Sequence, residues 1–105
     1  MSAESEEQAV LSVETPLGFR VVVSQEDWEA IVAKHPEMAE RSGDVALALS
    51  SPDEVRRSRR DERVLLFYRM ERTRRWVVAV AVANGRLITA YRTDAIKEGT
   101  RIWPK

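Results

Sequence analysis

One histidine, two tyrosines and a set of arginines are the residues of this chain best equipped for chemistry. His35 closes a helical pattern and stands directly before Pro36. Arg56, Arg57, Arg59 and Arg60 crowd together, and Tyr68 and Tyr91 sit in later strand-like runs. Such a set could cleave RNA without a metal. The 2′-hydroxyl is its own nucleophile, so the protein has to position the backbone, stabilise charge on the phosphorane and move protons. The planar arginine fork pairs with two phosphate oxygens. A histidine, or a tyrosine or arginine of shifted pKa, carries protons. A tyrosine ring stacks on an unpaired base.

Other chemistries lack their residues. With one histidine and no cysteine, a zinc site, a disulfide framework and a cysteine nucleophile fall away. There is no GxxxxGK[ST], GxGxxG or GxSxG pattern. The acidic pairs Glu26-Asp27 and Asp61-Glu62 belong to a helix start and a turn, where carboxylates are ordinarily solvated. No metal and no cofactor is expected. Each candidate also has a plainer role. A histidine before proline commonly caps or packs, arginines protect a strand edge from aggregation, and threonine and tyrosine are good strand formers. Trp28, Trp76 and Trp103 read as core.

The elements that position these residues can be traced along the chain. Residues 1–8 read as a disordered acidic tail, and 9–105 as a single α+β domain. Val10–Glu14 and Phe19–Val23 form a hairpin around the turn Thr15-Pro16-Leu17-Gly18. Ser24 caps a helix whose apolar positions Trp28, Ile31, Val32 and His35 share one face, and Pro36 stops it. A second helical segment spans about Glu37–Leu49, with Ser42-Gly43-Asp44 as a break point. Four strands follow: Glu54–Arg59, near an edge; Arg63–Met70; Arg75–Ala83, apolar throughout and so central; and Arg86–Thr93. Asn84-Gly85 is the signal for a two-residue type I′ turn. Asp94 caps a short helix over Ala95–Glu98, and Ile102 and Trp103 anchor the end of the chain. The order is β-β-α-α-β-β-β-β, a hairpin, two helices and a four-stranded antiparallel meander. The helices cover one sheet face and leave the other partly open for function.

Period two puts Leu87, Thr89, Tyr91 and Thr93 on one face of the last strand. Either Tyr68 or Arg69 joins that row, depending on register. Charge is divided along the chain: residues 1–52 carry three basic against ten acidic side chains, and 53–105 carry fourteen against seven. This asymmetry suggests a basic face for a polyanion, or two halves that neutralise each other. The longest apolar run, Trp76–Ala83, is 8 residues, too short to span a membrane. With no leader pattern the chain is expected in the cytoplasm, with no membrane partner.

The strings Trp28-x-x-Ile31-x-x-x-His35-Pro36-Glu37, Ser51-Pro52-Asp53, Ser58-Arg59-Arg60-Asp61, Leu66-Phe67-Tyr68-Arg69 and Leu87-Ile88-Thr89-Ala90-Tyr91-x-Thr93-Asp94-x-Ile96-Lys97-x-Gly99 occur in this order. In that order they resemble the small bacterial and phage-associated domains of the barnase–EndoU–colicin E5/D–RelE-like group of predicted nucleases, from about Pro16 to Trp103. The resemblance implies a RelE/barnase-like fold and a metal-independent endoribonuclease of toxin type. It also implies His35, Arg59 or Arg60, Tyr68, Thr89 and Tyr91 as the catalytic set. Arg57, Arg60, Arg69 and Thr93 are the companion nucleic-acid contacts, and RNA is the expected partner. The neutral overall charge departs from a free-standing toxin and weakens the expectation of tight RNA binding. The competing reading is a catalytically inert module whose basic sheet binds an acidic protein, such as an antitoxin. The oligomeric state is not legible.

Overall fold

A computed structural model describes residues 9–96 and 98–104; the tail read at 1–8 lies outside them. The chain begins with a hairpin, β1 (Leu11–Glu14) and β2 (Arg20–Val23). Thr15 closes it: its N–H and its hydroxyl both donate to the Phe19 carbonyl, at 2.9 and 3.0 Å. The Ser24 hydroxyl then accepts the Asp27 N–H at 3.1 Å and starts α1 (Gln25–Lys34). Glu26 and Asp27 in its first turn and Lys34 in its last complement the helix dipole. Pro36 ends it, as the sequence predicts. The expected second helix is two pieces: a single 3₁₀ turn, Pro36–Met38, and α2 (Ser42–Ser50). The break falls at Arg41, one residue before the predicted Ser-Gly-Asp.

The main sheet comprises β3 (Glu54–Arg57), β4 (Val64–Arg72), β5 (Arg75–Val82), β6 (Leu87–Thr93) and β7 (Thr100–Trp103). Its order is β6-β5-β4-β3-β7, and every pairing is antiparallel. The meander is therefore present, with a fifth strand beside β3 that the sequence reading did not include. Ile102 and Trp103 do anchor the end of the chain, but as part of that strand. β3 also stops at Arg57, two residues short of expectation. The Ser58 hydroxyl accepts the Arg60 N–H at 3.2 Å, and the Ser58 N–H turns to the Val64 carbonyl.

Two further expectations are corrected. Among the described residues there is no helix after Asp94: Asp94, Ala95, Glu98 and Gly99 are bends. Thr93, not Asp94, organises the turn, its hydroxyl bonding both the N–H and the carbonyl of Ala95. Nor is the Asn84-Gly85 connection type I′. Gly85 has φ +98, but Asn84 does not take a positive φ. Val82 donates to Arg86, and Gly85 donates to Val82, which makes a three-residue loop with its glycine in the left-handed region. The Asn84 side chain supports it by accepting the Arg86 N–H at 3.0 Å.

One face of the sheet, through Val55, Leu65, Phe67, Val77, Ala79, Ala81, Leu87 and Ala90, packs under the hairpin and helices. Leu11, Val21, Val23, Trp28, Ile31, Met38, Val45 and Leu49 meet it there. The other face carries a smaller cluster of Leu66, Tyr68, Val78 and Val80, against which Ile96 packs. The chain must travel from β6 at one edge to β7 at the other, and residues 94–96 and 98–99 lie over this second face as a strap. The face expected to be open is therefore covered at its centre. β5 contributes buried residues to both clusters, which accounts for its unbroken apolar sequence.

Candidate functional site

Strand register decides which candidates share a face. Tyr68 pairs with Val78 and Val78 with Tyr91; Leu66 pairs with Val80 and Val80 with Thr89. Glu54 and Arg56 extend these two rows on β3. Tyr68, not Arg69, thus joins Thr89 and Tyr91 on the strap side. The predicted alternation along β6 holds from Thr89 to Thr93 but breaks before it. A bulge beside Val80 brings Leu87 opposite Ala81 and into the helix-side core, and leaves Ile88 43% exposed.

His35 reaches this side from the opposite layer. It is the C-cap of α1, with φ −131 and ψ 75, and its N–H still donates to Ile31. The backbone leaves the helix there because of Pro36, and the imidazole stacks on Tyr91 with ring centroids 5.8 Å apart and planes 29° from parallel. The Glu37 carboxylate lies 3.8 Å from His35 Nδ1. The His35 side chain is one-third exposed and Tyr91 is half-buried.

Both phenols on this face are held neutral. Burial, followed by the Glu98 carboxylate, raises the Tyr91 hydroxyl. Tyr68 is 2% exposed. Burial, Tyr91 and Glu98 together push its hydroxyl up to about 12, against smaller opposing effects of Arg56 and a Glu98 backbone hydrogen bond. These groups can donate hydrogen bonds at neutral pH, and Tyr68 is too enclosed by the strap to touch a polymer directly. The Thr89 hydroxyl oxygen is buried and has no hydrogen-bond partner among the described residues.

The arginines do not gather round His35. Arg56 shares the face, but its Nε binds Glu54 and its Nη1 donates to the Gly99 carbonyl at 2.9 Å, so it fastens the end of the strap. Arg57 pairs in register with Leu65 and is exposed. Arg59 and Arg60 lie in the exposed β3–β4 turn. That turn is three strands from β6, roughly 14 Å at ordinary strand spacing. Arg69 lies on the helix side, where Nη1 donates to the Ser51 carbonyl. Thr93 is engaged with Ala95. Of the expected catalytic set, the fold brings His35, Tyr91, Thr89 and Tyr68 to one region and leaves Arg59 and Arg60 apart.

A groove of ≈ 120 Å³ adjoins the His35–Tyr91 pair, between α1 and the outer edge of β6. Asp27, Ala30, Ile31, Lys34, Arg86, Leu87, Ile88 and Thr89 line it. The sequence reading passed over Lys34 and Arg86, although Asp27, Ala30, Ile31 and Lys34 have the i, i+3, i+4, i+7 spacing of a single helix face. Among the described residues no group of three or more His, Cys, Asp or Glu side chains could hold a metal ion. Among the described residues no helix is long and apolar enough to cross a membrane. No family model, curated protein or solved structure matches the chain.

Proposed function

We propose that this chain is a metal-independent endoribonuclease domain of the barnase–EndoU–colicin E5/D–RelE-like kind, with His35 and Tyr91 at its reacting centre. The observation that carries this reading is the stacked His35–Tyr91 pair at the exposed edge of the sheet. Such a pair combines a proton carrier with a neutral hydrogen-bond donor. His35 Nε2 takes the proton of an RNA 2′-hydroxyl, the 2′ oxygen attacks the adjacent phosphorus, and the P–O5′ bond breaks as the 5′ oxygen takes a proton from water, whose hydroxide is neutralised by the proton His35 holds. The products are a 2′,3′-cyclic phosphate and a 5′-hydroxyl end. The Tyr91 hydroxyl donates to a non-bridging phosphate oxygen. Thr89, on the same strand, is a positioning group, and Tyr68 supports Tyr91 from beneath the strap. The RelE/barnase-like assignment of the fold belongs to the same proposal and rests on the element order together with the sequence strings. The test is incubation of the purified protein with total RNA and tRNA in EDTA, followed by end-group analysis. Cyclic phosphate ends that disappear in His35→Ala support the reading; intact RNA at high protein concentration overturns it.

A second reading has its own observation. Arg57, Arg59 and Arg60 are exposed and have no ion-pair partner among the described residues. They stand away from His35, which suits an inert module that grips an acidic protein such as an antitoxin. In that case Arg59→Glu abolishes a co-purifying protein complex, while His35→Ala leaves it unchanged.

A further inference from the structure

We infer that the groove between α1 and β6 is a phosphate subsite for single-stranded RNA, with Lys34 and Arg86 as its cations; this rests on the ribonuclease reading above. Four observations lead to it. First, the groove is adjacent to the reacting pair in sequence and in space. Lys34 immediately precedes His35, and Thr89 stands two residues before Tyr91 on the same strand. A backbone whose nucleotide rests on the His35–Tyr91 stack has its next phosphate within reach of these side chains.

Second, Lys34 and Arg86 are uncommitted. Both are exposed, both line the groove, and neither has a carboxylate within ion-pair distance among the described residues. They come from opposite walls, one from the last turn of α1 and one from the loop entering β6, so RNA lying along the groove meets positive charge from both walls. Arg56, Arg41 and Arg92, by contrast, are already neutralised by Glu54, Asp44 and Glu71.

Third, the groove has a charge direction. Asp27 also lines it, but seven residues of helix separate it from Lys34, about 10 Å along the axis. Asp27 repels an anion at the far end and leaves the end nearest His35 to Lys34. Fourth, Thr89 lines the same groove, and its buried hydroxyl has no hydrogen-bond partner among the described residues. Rotation about χ1 moves that oxygen without breaking any existing hydrogen bond among the described residues. An orphaned buried hydroxyl is uncommon, and a ligand partner accounts for it.

The experiment measures binding of a fluorescein-labelled single-stranded oligoribonucleotide across a salt series. Wild type is compared with Lys34→Gln, Arg86→Gln and the double variant. Arg74→Gln, exposed in the β4–β5 turn, serves as a charge-matched control. Thermal melts confirm that each variant is folded. Each groove substitution is expected to weaken binding roughly tenfold and to reduce the slope of log K against log salt by about 0.7. The control is expected to bind as wild type does. If the groove variants bind and cleave normally while His35→Ala does not cleave, the subsite is wrong and the ribonuclease reading survives. If wild type neither binds nor cleaves RNA, both are wrong. If Arg74→Gln weakens binding as much as Lys34→Gln, the effect is net charge and the subsite is overturned.

Discussion

His35 and Tyr91 stack across the boundary between two layers, one from the end of α1 and the other from an edge strand, with ring centroids 5.8 Å apart. Neither belongs to the local structure of the other, so the pair exists only in the folded chain. The two rings can therefore be separated by function. His35→Ala should lower cleavage by about 10²- to 10⁴-fold, the usual worth of a general acid or base, with little change in RNA affinity. Tyr91→Phe keeps the stack and should lower kcat alone, whereas Tyr91→Ala should also raise KM. Full activity in Tyr91→Phe would remove the hydroxyl from the reaction.

Tyr68 predicts an alkaline transition. Its hydroxyl is pushed up to about 12 in the folded chain, against an unfolded value of about 10. A raised pKa favours the protonated folded form, so this stability is complete below about pH 10 and is lost as pH rises from about 10 to 12. The loss amounts to roughly 2–3 kcal/mol. Urea titrations across this range should show that slope in wild type and lack it in Tyr68→Phe. The same slope in both proteins assigns the transition to another group.

Glu71 predicts the acid side. Burial acts to raise its carboxyl, but the paired hydrogen bonds from Arg92 and the charges of Arg92, Arg41 and Arg72 prevail, and it titrates below its usual range. A lowered pKa contributes stability that is present above the unfolded value, about 4.3, and fades as pH falls through the folded one. Glu71 joins β4 to α2 through Arg41 and to β6 through Arg92. Glu71→Gln should therefore cost about 1–2 kcal/mol at pH 7, and the difference from wild type should shrink toward pH 3. A constant difference over that range argues for packing rather than charge.

Much of this architecture is legible in the sequence, because local signals and tertiary packing agree there. Thr15-Pro16-Leu17-Gly18, Ser24, Pro36 and the apolar β5 each dictate their own element. Other features depend on long-range geometry that no local signal carries. β7 pairs with β3 across more than forty residues, and its sequence Thr-Arg-Ile-Trp is too short to declare itself. The Ile88 bulge broke the period-two reading of β6. Lys34 was overlooked because its helical phase differs by one residue from the phase followed, which ends at His35. Arg59 and Arg60 were grouped with His35 on residue type alone, and type says nothing of the strands between them.

Backbone geometry supplies a further prediction. A Cβ on Gly85 would meet the Arg20 carbonyl oxygen at 2.6 Å, and one on Gly99 would meet that of Arg57 at 2.5 Å; both residues also have positive φ. Gly85→Ala and Gly99→Ala should each cost about 2 kcal/mol or more. Arg74 instead bears a side chain at φ 63, so Arg74→Gly should raise stability by up to about 1 kcal/mol, or several degrees in Tm. A fall in Tm for Arg74→Gly contradicts this account of the β4–β5 turn.

The strap also sets how the sheet breathes. It is held on the strap face by Ile96 and by the Arg56 bond to Gly99, and it ends in a four-residue strand with a single neighbour. Its contacts are distant in sequence and its strand lies at the sheet edge, so β7 and the strap should form late and open at a lower free energy than the β4–β5 core. Amide hydrogens of Thr100–Trp103 should exchange through such partial opening, well before those of Val77–Ala81. Each opening uncovers Tyr68 and lets water reach the floor beneath Tyr91. The polarity of the floor beneath Tyr91, and with it the acidity of both phenols, is governed by the lifetime of one short strand at the far edge of the sheet.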